Sequence, residues 1–283
     1  MALYEGVAAA DSPEVIIKPQ QRWSGIGVKE LWDCRELLYF LVWRDVKVRY
    51  KQTAIGASWA VIQPLITMVL FTAVFSKLAG ISSEDLPYPI FSFAALVPWT
   101  YFSRSLNQSI TSVVGNAHLI TKVYFPRLLL PISAVVGGLI DFAIAFVFLL
   151  GMMAWYKITP TWGVLLLPVL ILFTMLTALA VSVWLSVLNV RYRDVGQAIP
   201  FLVQLWLFAS PVAYPLSEVS ERWRVLLGLN PMTGVIEGFR WALLGKQVPD
   251  TMPMVLSATV VLLLLVSGVV YFRRVEATFA DVV

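Results

Sequence analysis

The sequence predicts an all-α integral membrane protein: six transmembrane helices, an N-terminal amphipathic interface helix, and a re-entrant outer hairpin between helices 5 and 6. Three observations carry this. Of 283 residues, 59% are hydrophobic and 13% charged, where soluble domains run near half and a quarter; mean hydropathy is +0.80. Six apolar windows approach the roughly 20 residues a bilayer core demands. Fifteen of the 21 Lys and Arg fall on one side of the resulting topology, the bias expected of cytoplasmic segments. So apolar and aromatic a chain excludes disorder and has too little polar surface to close a water-soluble globule. The net charge of +4 is accounted for by topology, so no nucleic-acid partner is expected.

Residues 1–28 read as a polar tail containing Pro13, Pro19 and Gly25. No apolar core there ends in a small-residue cleavage site, so the first spans are expected to serve as the targeting signal. Residues 29–57 follow as the interface element. Leu31, Cys34, Leu38, Leu41 and Val42 recur near helical spacing, and Trp32, Tyr39, Phe40 and Trp43 add aromatic mass. Arg44, Lys47, Arg49 and Lys51 come just before the first span. Such a helix lies in the membrane interface, each basic residue contributing about 1 kcal/mol near an anionic leaflet. The plainer reading is a positively charged flank.

The transmembrane domain covers residues 58–272. Ser58–Ser76, Val164–Leu188 and Met252–Phe272 carry no charge, and Leu128–Met153 carries one, Asp141. Tyr88–Phe102 is apolar and continues into a weakly polar stretch near Gly115. Arg104 and Asn107 sit there, so that helix either protrudes into the cytosol or turns polar residues to a protein interior. Val195–Tyr214 contains Gln197, Gln204, Pro200 and Pro211. Both termini are expected in the cytoplasm, with 273–283 as a cytoplasmic tail. Within 215–245, Trp223–Leu229 and Met232–Leu244 are apolar but too short to cross, and Asn230-Pro231 separates them. Apolar runs of this length are more often re-entrant or interfacial; a cap on the span ends is the other reading. No internal repeat is evident, which weighs against many secondary-transporter folds.

Much chemistry is missing. The Gly-x-x-x-x-Gly-Lys-Ser/Thr phosphate loop is absent, as are His-Glu-x-x-His and Gly-x-Ser-x-Gly. A single cysteine, Cys34, excludes an internal disulfide, and a single histidine, His118, argues against a metal cluster. His118 has no neighbouring acid or nucleophile, so a packing or contact role is expected. Asp141 is the one ionisable residue well inside a span, which makes it a functional candidate: a proton site, or a structural acceptor for a neighbouring Ser, Gln or Arg. Ser133/Gly137 and Ala134/Gly138 permit close helix approach. Trp99, Tyr101, Trp155, Tyr156 and Trp162 suit an interfacial belt. Trp59 opens the first span, while Trp184, Trp206 and Phe208 lie further in; their rings fill a core or stack on sugars.

Four stretches carry a family resemblance. Trp43-Arg44-Asp45-Val46-Lys47-Val48-Arg49-Tyr50-Lys51-Gln52 leads into Gly56-Ala57-Ser58-Trp59 and Gln63-Pro64. Asn116 to Arg127 and Asn189-Val190-Arg191-Tyr192-Arg193-Asp194 are the second and third. Leu229-Asn230-Pro231-Met232 with Glu237-Gly238-Phe239-Arg240-Trp241 is the fourth. From about residue 30 to 275 the chain resembles the membrane subunit of bacterial polysaccharide ABC exporters, the type that moves O-antigen, capsule or teichoic acid.

The resemblance implies a permease in the bacterial cytoplasmic (inner) membrane, working as a homodimer of twelve spans. Each copy would bind a separate cytosolic ATPase subunit that carries the ATP and Mg, with no cofactor or metal on this chain and no catalytic residue. Trp43, Arg44, Lys47, Arg49, Asn116, His118, Lys122, Tyr124, Arg127, Arg191, Arg193 and Asp194 would face that ATPase. The cargo would be a lipid-linked polysaccharide, its diphosphate end drawn by Arg44, Lys47 and Arg49, with Trp59, Trp184, Trp206 and Phe208 as glycan contacts. Asn230, Pro231, Glu237, Arg240 and Trp241 would form the outer gate. An ABC permease for drugs or lipids shares this fold class. An integral-membrane enzyme on lipid-linked sugars would need clustered polar residues, and a proton-coupled transporter would rest on Asp141. An assembly factor with no transport path is the remaining reading.

Overall fold

The computed structural model describes residues 28–51, 56–83, 85–245 and 250–279. All but residue 28 of the predicted tail, together with Gln52, Lys246 and the last four residues, lie outside this set. Every regular element among the described residues is helical.

The N-terminal region forms α1 (Val28–Asp33) and α2 (Arg35–Tyr50), separated at Cys34. A short 3-10 turn, Gly56–Ser58, leads into α3 (Trp59–Phe71), which continues as a π-helical turn over Thr72–Leu78. Next comes α4 (Tyr88–Gly115), 28 residues long. Prolines 87 and 89 flank its first residue, where a missing N–H costs nothing. Its Ile90, Phe91, Phe93, Ala94, Ala95, Leu96 and Val97 are almost wholly enclosed. A helix apolar all round belongs in a core, and α4 is the central pillar, packed by α3 and by most of the helices that follow.

A short helix, α5 (Ala117–Lys122), precedes α6 (Leu129–Gly137) and α7 (Leu139–Trp155). The last two are nearly continuous, and the small pairs expected there do separate work. A Cβ on Gly137 would touch Val46 of α2 at 3.8 Å; one on Gly138 would lie 2.7 Å from Ser105 Oγ and 3.1 Å from the Tyr101 ring of α4. Then follow α8 (Leu167–Arg191), α9 (Val195–Phe208), α10 (Glu221–Gly228), α11 (Pro231–Leu244) and α12 (Thr251–Val275).

Four helical stretches are long and apolar enough to cross a membrane: Gly56–Leu78, Leu129–Trp155, Trp162–Arg191 and Thr251–Val275. The chain is therefore a multi-pass membrane protein. The other two expected spans differ from these for visible reasons. α4 has the length, but its C-terminal half carries Arg104, Asn107 and Gln108. α9 is only 14 residues, about 21 Å at 1.5 Å per residue, and breaks at residues 209–215. Outward surfaces of α3 (Ile66, Val69, Leu70) and α12 (Leu262, Leu263, Val266) are apolar and exposed, as a lipid-facing surface must be.

The core has two parts. The larger surrounds α4 and α11. The smaller gathers at the opposite end, where Leu41 of α2, Ile120 of α5, Leu128–Leu130, Val187 and Val190 of α8, and Phe272 and Phe279 meet. Phe279 sets its ring edge-on to Phe272 at 5.2 Å, so the chain after residue 272 packs back onto this end of the bundle.

Candidate functional site

The smaller core gathers three of the four motif stretches. α2, the Asn116–Arg127 loop and the Asn189–Asp194 turn all sit on it, and many of their polar side chains remain outside. Trp43, Lys47, His118, Lys122, Tyr124, Arg191, Arg193 and Asp194 are exposed. Arg44 pairs with Asp45 at 2.8 Å, and Arg191 lies 5.5 Å from the Tyr192 ring. Asn116 donates to the Ser112 carbonyl at 2.7 Å and closes the end of α4. Arg127 is half-buried, with its Nη1 atom enclosed and unbonded. It lines an open hollow with Lys122, Tyr124 and Phe125.

Asn189 builds the turn from beneath. It donates to the Ile110 carbonyl at 2.9 Å and accepts from the Gly196 N–H at 2.8 Å. A Cβ at residue 196 would lie 2.7 Å from its Oδ1. In the sequence Asn189 marks only the start of a motif; a polar residue closing an apolar helix four residues before Arg193 is the available signal. Glu30 and Arg273, 3.2 Å apart, tie α1 to the end of α12.

Further in, Asp141 receives several partners. Arg49 Nη1 is 2.5 Å from Oδ2, Arg104 Nη1 is 3.7 Å from the same oxygen, and the Tyr50 hydroxyl donates to Oδ1. Burial first, then this hydrogen bond, pushes the Tyr50 phenol up to about 12, so it stays a donor at any ordinary pH. Arg49 also donates to Gln108 Oε1 at 2.5 Å. Arg104 donates to the Trp59 carbonyl at 2.9 Å and to Gln63 Oε1 at 2.8 Å. Of the basic residues grouped with α2, Arg49 alone turns inward to this cluster, at 20% side-chain exposure. Tyr50, Gln63, Arg104 and Gln108 were not among the predicted site residues. Arg104 and Gln108, one helical turn apart in the weakly polar stretch that follows the apolar Tyr88–Phe102 segment, are the sequence signal for them.

The four aromatics take different positions. Trp59 and Phe208 are about half exposed. Trp184 donates to the Leu264 carbonyl at 3.1 Å and stacks on Tyr271 at 4.8 Å. Trp206 meets Trp99 and Phe102 edge-on at 6.4 and 5.3 Å and donates to Asn230 Oδ1 at 3.1 Å. Trp184 and Trp206 are thus engaged in helix packing.

At the other end, α10 and α11 form a helical hairpin. Asn230 caps α11, accepting from the Met232 N–H at 3.0 Å, and donates to Ser210 Oγ at 2.8 Å. Pro231 is buried, and its carbonyl accepts from Ser257 Oγ at 2.8 Å. Arg240 is buried and donates to the carbonyls of Pro211 and Val212, each at 2.7 Å, and pairs with Glu237 at 3.2 Å. Trp241 is half-buried. α11 is enclosed along most of its length, whereas α10 exposes Trp223, Val225 and Leu226.

This bundle is a multi-pass helical membrane domain. Residues 36–244 match the ABC-2 type transporter family, and the chain belongs to that family. It is 32% identical over 257 residues to the O-antigen export system permease protein RfbA of Myxococcus xanthus, covering 90% of this chain and 98% of that protein. Identity to a Klebsiella pneumoniae protein of the same name is 26%, over 87% of this chain and 95% of that protein. The polysialic acid transport protein KpsM of Escherichia coli is 22% identical, over 82% and 91% of the two chains.

Proposed function

We propose that this chain is the permease subunit of an ATP-driven exporter of polysaccharide, with lipid-linked O-antigen the best-supported cargo. The observation that carries the reading is near end-to-end similarity to O-antigen export permeases, at 32% identity to the Myxococcus xanthus protein. The polysialic acid relative supports a polysaccharide cargo more broadly.

The chain makes six crossings, with α4 and α9 as the second and fifth, in the bacterial cytoplasmic membrane, both termini cytoplasmic. α1 and α2 form the interface element: exposed Trp32, Tyr39, Phe40 and Trp43 meet the headgroup region, where aromatic rings are favoured. Two copies form the translocation path. A separate ATPase subunit, holding ATP and Mg, docks on the end built over Leu41, Ile120 and Val190. Its contacts are Trp43, Arg44, Lys47, the 116–127 loop with His118, Lys122, Tyr124 and Arg127, and the 191–194 turn. Exposed cations ring that end, suiting an acidic partner surface. Arg44, Lys47 and Arg49 attract the cargo diphosphate, and exposed Trp59 and Phe208 are the better placed of the four aromatics to meet glycan. The α10–α11 hairpin dips back from the outer side and gates the exit, a non-spanning segment tolerated where protein buries it.

The test is co-purification. The chain is tagged in its native host and extracted in mild detergent. An ATPase subunit at one copy per copy of this chain is expected. An intact complex lacking any ATPase would overturn the reading.

A further inference from the structure

The Asp141 cluster joins four elements that sequence order keeps apart. Arg49 and Tyr50 end α2, Asp141 lies in the first turn of α7, Arg104 and Gln108 are on α4, and Trp59 and Gln63 begin α3. Two guanidinium groups share one carboxylate, so the cluster carries one excess positive charge. Asp141 is nearly enclosed, at 7% side-chain exposure.

We propose that Asp141 is a positioning residue that transmits movement of α2 to the start of α3, through Arg104. The two contacts are unequal. Arg49 holds Asp141 at 2.5 Å, while Arg104 stands at 3.7 Å and spends its other nitrogen on the Trp59 carbonyl and Gln63. A buried carboxylate without a cation is strongly disfavoured. When α2 withdraws Arg49 and Tyr50, Arg104 is the cation that remains beside Asp141. Closing that gap turns its guanidinium away from Trp59 and Gln63 and releases the start of α3. Returning α2 restores the first arrangement. In a low dielectric such an exchange is steep, so the cluster has two settings.

This rests on the exporter reading, in which the ATPase displaces α2, and adds a residue path to it. The experiment uses the chain in complex with its ATPase, reconstituted in vesicles, in a Cys34→Ser background. Two reporters are introduced separately. Val46→Cys with Gly137→Cys reads the α2–α6 separation by disulfide formation, since Val46 lies 3.8 Å from a Cβ built on Gly137. Trp59→Cys reads the start of α3 by maleimide labelling, and leaves the Trp59 carbonyl in place.

Both reporters are expected to respond to ATP in the parent. Arg104→Lys keeps the charge but cannot reach Asp141 and Gln63 together. In that variant the α2 reporter should still respond, the α3 reporter should not, and export per ATP hydrolysed should fall roughly tenfold, within the usual span of coupling between sites. Gln63→Glu gives Arg104 a carboxylate on α3 and should likewise silence the α3 reporter. A purely structural role would leave both reporters responding in these folded variants; that outcome, or unchanged export per ATP, overturns the relay alone. A parent whose α2 reporter ignores ATP overturns both the relay and the coupling it rests on.

Discussion

Arg240 sets its guanidinium carbon 3.7 Å from the centroid of the Phe91 ring, joining α11 to the central helix α4. Phe91 is 1% exposed, so the cation–π contact is desolvated and contributes about 2 kcal/mol. The same guanidinium donates to Pro211 and Val212, turning carbonyls left open by the break after α9 toward a charge. Arg240→Met strands those carbonyls and should lower stability by about 3–5 kcal/mol. Arg240→Lys should also destabilise, because one ammonium cannot fork. The midpoint of unfolding by SDS in mixed micelles reads this; equal midpoints for parent and Arg240→Met would refute it.

Asn230 and Trp206 are the second tie between the α10–α11 segment and α9. Asn230→Ala removes a helix cap and the acceptor of the Trp206 indole, with an expected loss of about 1–3 kcal/mol. Trp206→Phe keeps the ring contacts and drops the donor. Measured singly and together, the two changes should show a coupling energy above about 0.5 kcal/mol. Strict additivity would mean the hydrogen bond contributes nothing.

Gly138 is where α7 leaves α6 against α4. A Cβ there would lie 2.7 Å from Ser105 Oγ, so Gly138→Ala should cost about 1–3 kcal/mol through overpacking. Gly151, on the same transmembrane stretch, has nothing within 4 Å of a built Cβ. Gly151→Ala should be neutral or stabilising by up to about 1 kcal/mol. Thermal stability in detergent compares the pair, and equal effects would rule out the close approach.

Arg191 and Arg193 are exposed on the turn that Asn189 supports. Arg191→Glu or Arg193→Glu should leave insertion and folding intact, since surface charges contribute little to stability. Export should fall while the partner continues to hydrolyse ATP. Transport at the parent rate in either variant would remove the turn from the coupling surface.

Some of this was legible in the linear chain because bilayer physics acts locally. A stretch such as Val164–Leu188 announces itself by length and lack of charge, and Asn230-Pro231 announces a break with a cap. The Tyr88–Gly115 helix is harder to read, since Arg104 and Asn107 are as consistent with a cytosolic extension as with a buried face. Trp184 and Trp206 were open to two readings because an aromatic ring serves a core or a ligand equally well. Hydrogen bonds to Leu264 and Asn230, 80 and 24 residues away, place both in packing.

By itself the sequence determined a multi-pass helical membrane protein, its apolar stretches, and the motif segments that mark the family, because hydropathy, proline breaks and short motifs are properties of neighbouring residues. Tertiary structure alone decided which charges are enclosed. Asp141 and Arg49 are 92 residues apart, as Arg240 and Phe91 are 149 apart. Pairing a buried charge depends on which helices meet, and that is set by the packing of the whole bundle around α4.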